Sequence, residues 1–234
     1  MCYLRLFFAT LLLTCAEAKP WHDATNLVTN DSSSSSSNNN NDNNIAFLVT
    51  IPSCPEYPDN PTDSVAFHDV ATVLRNSILN STVNNPDSKY DATIYAIIHP
   101  EVIECVTSSN NNDESGTFNV ASVLEDLGYL VIVWEEPVNE EEISDLDLRT
   151  AMENNGKGLR DFMHLYAYKL IDHPVAVMTN FNTLFLSPVD SIINQLMSSS
   201  RSSLETIYFT KQDGLLDTGA IFCKPSDSAY DSVV

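Results

Sequence analysis

Positive charge is what this chain lacks most. Eleven Lys and Arg residues stand against 32 Asp and Glu, a formal net charge of −21 over 234 residues. Such a surface repels phosphate backbones and anionic bilayers, which argues against nucleic-acid binding and against docking on anionic membranes. A solvated acidic face is the simplest account of the excess, and it can also gather divalent cations. Glycine is scarce as well, at six residues, and no Gly-rich phosphate loop of the kinase or P-loop kind is present. The order of Ser, His and Asp suits no hydrolase triad, and no Cys/His cluster has zinc-type spacing. Long apolar runs are missing beyond the N-terminus, so no later segment is expected to cross a bilayer. What remains, 43% hydrophobic and only 18% charged, is ordinary for a globular protein, and the length suits one good-sized α/β domain or two small ones.

The N-terminus reads as an address. A short start with Arg5 leads into the apolar run 6–16, about the length of a signal-peptide core, and Ala16-Glu17-Ala18 offers small residues to a signal peptidase. Cleavage after Ala18 is expected, with an uncleaved Golgi anchor as the alternative. Both place the chain in the secretory pathway, in the Golgi lumen or secreted. Cys2 and Cys15 leave with such a leader. Cys54, Cys105 and Cys223 remain, an odd set from which one pair can bridge in an oxidising compartment, the pairing left open. Two acceptor sequons, Asn30-Asp31-Ser32 and Asn80-Ser81-Thr82, agree with that route.

Residues 19–44 form a linker whose Ser/Asn-rich part, 31–44, has no apolar area to offset the entropy of ordering. The globular part is expected over 45–234. Apolar runs at 45–51, in 91–100, at 129–134 and at 175–178 read as buried strands. Helical stripes lie between them: Phe67, Val70, Ala71, Leu74 and Ile78, capped by Thr62 or Asp63; a helix near 120–127 closed by Gly128; and Leu159, Phe162, Met163, Tyr166, Ala167, Leu170 and Ile171. Ser187-Pro188 reads as the start of a further helix. Strands apolar on both faces that alternate with helices imply an α/β fold with a mostly parallel central sheet covered by helices. Ligands of such sheets bind at the strands' carboxyl ends, here 50–57, 98–101, 134–136 and 179–182.

Three of these stretches together resemble the glycogenin-type (family 8) retaining glycosyltransferases, which have a GT-A nucleotide-sugar-binding fold. They are Val49-Thr-Ile-Pro-Ser-Cys-Pro-Glu-Tyr57; the run from His164 to Leu186, which aligns without a gap to the family's helix, strand and Asp-x-Asp turn; and Leu216-Asp-Thr-Gly-Ala-Ile-Phe-Cys-Lys-Pro-Ser226, similar to its Phe-Asn-Ser-Gly-Val strand. The resemblance implies a hexose transfer from a UDP-sugar to a glycan or protein acceptor with retention. It implies nucleotide contacts from Thr50, Ile51 and Tyr57, phosphate contacts from Arg160 and His164, and sugar contacts from Asp217, Thr218 and Gly219. Asp213 and Asp217 are the implied catalytic carboxylates. The chain ends at Val234, before the family's late histidine ligand, so the resemblance implies a domain that continues further.

Chemistry sharpens one position. Departure of a nucleoside diphosphate is stabilised by a divalent cation, usually Mn²⁺ or Mg²⁺ held by carboxylates. Asn180 and Asn182 stand where the family has aspartates. An amide oxygen can ligate a hard cation but brings no charge, so metal binding is expected to be weak. The plainer account of Asn180-Phe181-Asn182 is a turn whose side chains bond their own backbone. Each other residue has a plain account too: a helix-face histidine for His164, a solvated arginine for Arg160, a packing tyrosine for Tyr57, and loop aspartates for Asp213 and Asp217. The readings are therefore a working transferase, a nucleotide-sugar-binding pseudoenzyme, or an acidic secreted structural protein.

Overall fold

The computed structural model describes residues 43–55, 64–107, 116–139, 141, 143, 146, 149–150, 158–198, 208–212 and 215–232. The expected leader and most of the linker, with Tyr57, Thr62, Asp63 and Asp213, lie outside these residues.

The apolar run after the linker forms strand β1 (Asn44–Ile51), followed by helix α1 (Ser64–Ser81) and strand β2 (Asp91–Ile98). A short hairpin, β3 (Glu104–Thr107) and β4 (Gly116–Asn119), leads into helix α2 (Val120–Asp126) and strand β5 (Leu130–Val133). A 3₁₀ segment (Gly158–Lys169), strand β6 (Ala176–Thr179), helix α3 (Asp190–Ser198), strands β7 (Tyr208–Gln212) and β8 (Leu215–Cys223), and helix α4 (Asp227–Tyr230) complete the order. Six strands make one sheet in the order β5-β2-β1-β6-β8-β7. The first four are parallel, while β8 runs antiparallel to both β6 and β7. The molecule is thus α/β, with a mostly parallel central sheet flanked by helices.

Period-2 alternation in β1 explains the layering. Ile45, Phe47, Val49 and Ile51 enter one core with Phe67, Leu74 and Ile78 of α1, Leu124 of α2 and Ile193 and Leu196 of α3. Ala46 and Leu48 enter the other, with Met163, Tyr166 and Ala167 from the 3₁₀ segment, Leu170 just after it, and Tyr230. Both faces of β1 are therefore covered, which is why its sequence is an unbroken apolar run.

Three expectations change. The 158–169 stretch is 3₁₀, not α. Its buried Met163 and Tyr166 are three residues apart, as i→i+3 bonding favours, and Ile171, expected on the stripe, lies past the segment and is 56% exposed. Pro188 precedes α3 instead of occupying its first turn, because the Val189 carbonyl accepts from Ile192 and Ile193. Finally, the β3–β4 hairpin and β7 carry no long apolar run, and periodicity does not mark them.

Candidate functional site

The carboxyl end of the sheet is built by three neighbouring strands. Val49 of β1 lies opposite Thr179 of β6, and Thr179 lies opposite Ala220 of β8. Next along the chain from these three paired residues, toward the carboxyl end of the sheet, come Thr50, Asn180 and Gly219. Because β8 is antiparallel, Asp217 and Thr218 precede Gly219 and continue beyond the end of β6; Asp217 pairs with Thr210 of β7.

Thr50 follows Leu48 on the β1 face that meets the 3₁₀ segment, and its Oγ1 lies 3.2 Å from His164 Nε2. His164 Nδ1 is 3.0 Å from the Asp161 carbonyl oxygen. A carbonyl only accepts, so Nδ1 carries a proton, and in the neutral ring Nε2 accepts from the Thr50 hydroxyl. A charged ring would instead donate to the same oxygen, so this contact tolerates either state. Ile51 faces the opposite core, 3% exposed, and its carbonyl accepts from His99 N–H at 3.2 Å.

Arg160 donates to the Pro52 carbonyl at 3.2 Å and pairs with the Glu101 carboxylate. The guanidinium thus bridges the loop leaving β1 to the 3₁₀ turn after β2 (Pro100–Val102). That loop is also tied covalently, since Cys54 bonds to Cys105 of β3. This fixes the pairing that spacing left open and leaves Cys223 buried as a free thiol, its acidity suppressed by burial to a pKa of about 12.

The asparagine turn is closed on itself. Asn180 Oδ1 accepts from Asn182 N–H at 3.0 Å, and the Asn180 carbonyl accepts from Thr183 N–H at 3.1 Å. The Thr183 hydroxyl lies 2.6 Å from the Gly219 carbonyl and 3.0 Å from Asn180 Oδ1. The Thr179 hydroxyl donates to the same Gly219 carbonyl at 2.9 Å. Gly219 thereby joins β8 to the turn through Thr179 and Thr183. Among the described residues, no group of three or more His, Cys, Asp or Glu side chains is placed to hold a metal.

Three further residues converge here without having been given roles: His99, Glu101 and Glu136, all at carboxyl ends of β2 and β5. His99 is 5% exposed. Its Nδ1 accepts from Glu101 N–H at 3.3 Å, so Nε2 bears the proton and donates to Glu136 Oε2 at 2.8 Å. Partial burial pushes the Glu136 carboxyl up, but its own backbone N–H, the His99 hydrogen bond and favourable electrostatics with His99 and Arg160 outweigh this and hold it below its ordinary value. All three fall within the strand-end stretches 98–101 and 134–136, the polar positions after apolar runs where such sheets bind ligands.

No family model and no curated protein matches this chain. No helix among the described residues is long and apolar enough to cross a membrane.

Proposed function

We propose that this chain is a GT-A-type, glycogenin-like glycosyltransferase-like protein that binds a UDP-sugar at the carboxyl end of its sheet, for hexose transfer with retention. The observation that carries the reading is the register itself. The three stretches that bear the resemblance are far apart in the sequence, yet they supply three adjacent strands, with Val49, Thr179 and Ala220 level and Thr50, Asn180 and Gly219 next to them along the chain. The Thr50–His164 contact supports it further, since the implied nucleotide contact and the implied phosphate contact meet. Arg160 and His164 are then the charge partners of the diphosphate. Arginine suits this role because its planar fork matches phosphate oxygens. If Mn²⁺ or Mg²⁺ takes part, Asn180 and Asn182 are the residues to hold it, and the ion would offset charge on departing UDP.

One observation favours the second reading, a nucleotide-sugar-binding pseudoenzyme. Asn180 Oδ1 is engaged by its own turn and carries no charge to attract a cation. Calorimetric titration of UDP into the full chain, with and without Mn²⁺, separates the two. Metal-independent binding that is lost in Arg160→Ala is expected. Asn180→Asp with Asn182→Asp should add a metal-dependent gain. Absence of UDP binding by a folded sample overturns the proposal. UDP binding without hexose transfer from any UDP-hexose supports the pseudoenzyme.

A further inference from the structure

The second sequon, Asn80-Ser81-Thr82, closes helix α1. Asn80 is exposed. Its two companions are not: Ser81 and Thr82 are each 1% exposed, and both hydroxyls donate to the Ile78 carbonyl, at 2.8 Å and 2.7 Å. The acceptor pattern requires the hydroxyl two residues after the asparagine, so a modifying enzyme must reach Asn80 and Thr82 together. The folded chain presents the first and hides the second. The Cys54–Cys105 bridge is an independent observation, because it needs the oxidising environment in which N-glycosylation also occurs. The sequon lies inside the segment this bridge closes.

We propose that Asn80 is an N-glycosylation site, modified before α1 docks and refractory once it has. In the reaction Asn80 Nδ2 attacks the anomeric carbon of an oligosaccharide carried on a lipid diphosphate. The N–C bond forms, the C–O bond to the diphosphate breaks, the lipid diphosphate leaves with the electron pair, and the amide nitrogen gives up one proton. Placement suits a permanent glycan. Helix α1 begins beyond the carboxyl end of β1 and returns the chain to the start of β2, which is parallel to β1. Its last turn therefore lies at the amino end of the sheet, opposite Thr50, Asn180 and Gly219. A glycan there adds a bulky, solubilising group and leaves the carboxyl end open.

The test is expression of the full chain in a eukaryotic secretory host, with peptide:N-glycosidase digestion and peptide mass spectrometry. The Asn80 peptide should carry a glycan that the enzyme releases, leaving aspartate. Asn80→Gln should remove one glycan-sized step in gel mobility, and Asn30→Gln should leave the Asn80 glycan in place. An Asn80 peptide unmodified in all chain recovered from the cells overturns the proposal, as does Asn80→Gln with wild-type mobility. The order of events has its own readout. Purified, unglycosylated folded chain given oligosaccharyl transferase and lipid-linked donor should stay unmodified at Asn80, whereas the same chain reduced and unfolded should be modified. Equal modification of both overturns the claim that folding closes the site.

Discussion

At the scale of single residues, burial and hydrogen bonding decide what each polar group can do. Glu136 is the clearest case. Its folded-state pKa lies below the ordinary 4.5, so below about that pH the unfolded chain binds the proton more readily than the folded chain does. The contribution is therefore fully present above pH 4.5 and is lost as the pH falls through the lowered folded value. Glu136→Gln should flatten the acid limb of a stability-versus-pH curve by lowering stability above pH 4.5 while leaving the low-pH end nearly unchanged. Urea midpoints measured across that range check it, and an unchanged acid limb would refute the assignment. Asn180 shows the opposite situation, an uncharged side chain already satisfied locally. Introducing a carboxylate there keeps the acceptor that bonds Asn182 N–H and adds the missing charge, which is why the double aspartate variant is a fair probe of the turn.

At the scale of elements, the end of α2 was the most readable. Gly128 N–H donates to Glu125 O at 2.8 Å and Tyr129 N–H to Leu124 O at 3.0 Å, the paired bonds of a Schellman ending. Gly128 has φ +83°, a left-handed conformation that costs an L-residue about 1–2 kcal/mol. A Cβ there would also approach Arg75 Nη2 to 3.2 Å, a flexible end that can yield. Gly128→Ala should therefore destabilise by roughly 1–2 kcal/mol, seen as a lower urea midpoint at unchanged slope. The 3₁₀ segment was less readable. Its apolar residues fit a helical stripe, but spacings of three and four alternate in it, and the choice between α and 3₁₀ was left to the packing of Met163, Tyr166 and Ala167 against β1 and β6.

At the scale of the whole molecule, the disulfide joins the loop leaving β1 to the β3–β4 hairpin across a sequence separation of 51. Loop-closure entropy for a segment of that size is worth about 4 kcal/mol in the chain-entropy account. Cys54→Ser with Cys105→Ser should lower unfolding stability by up to about that amount. It should also weaken UDP binding, because the same loop accepts the Arg160 hydrogen bond through Pro52. Chemical denaturation and UDP titration of the double variant read the two effects separately. Unchanged UDP affinity in a destabilised but folded variant would show that the loop holds its place without the bridge.

Much of the architecture was legible before any coordinates. Continuous apolar runs at β1, β2 and β6 specify strands covered on both faces, because a strand with one wet face would alternate; β5 is as apolar, but at the sheet's edge it leaves Leu130 52% and Val133 42% exposed. The helical stripes and Gly128 followed from the same local chemistry. The sequence also pointed to the carboxyl strand ends as the place for a site. It could not choose among three cysteines, since pairing depends on which Cα atoms approach, here to 5.8 Å. Nor could it show that β8 turns antiparallel beside β6 and so brings Ala220 level with Thr179. Convergence of Thr50 with His164, of Arg160 with Glu101 and of His99 with Glu136 joins residues from different strands and turns. Local propensity and periodicity report only on neighbours along the chain, so contacts of that kind were decided by the tertiary structure alone.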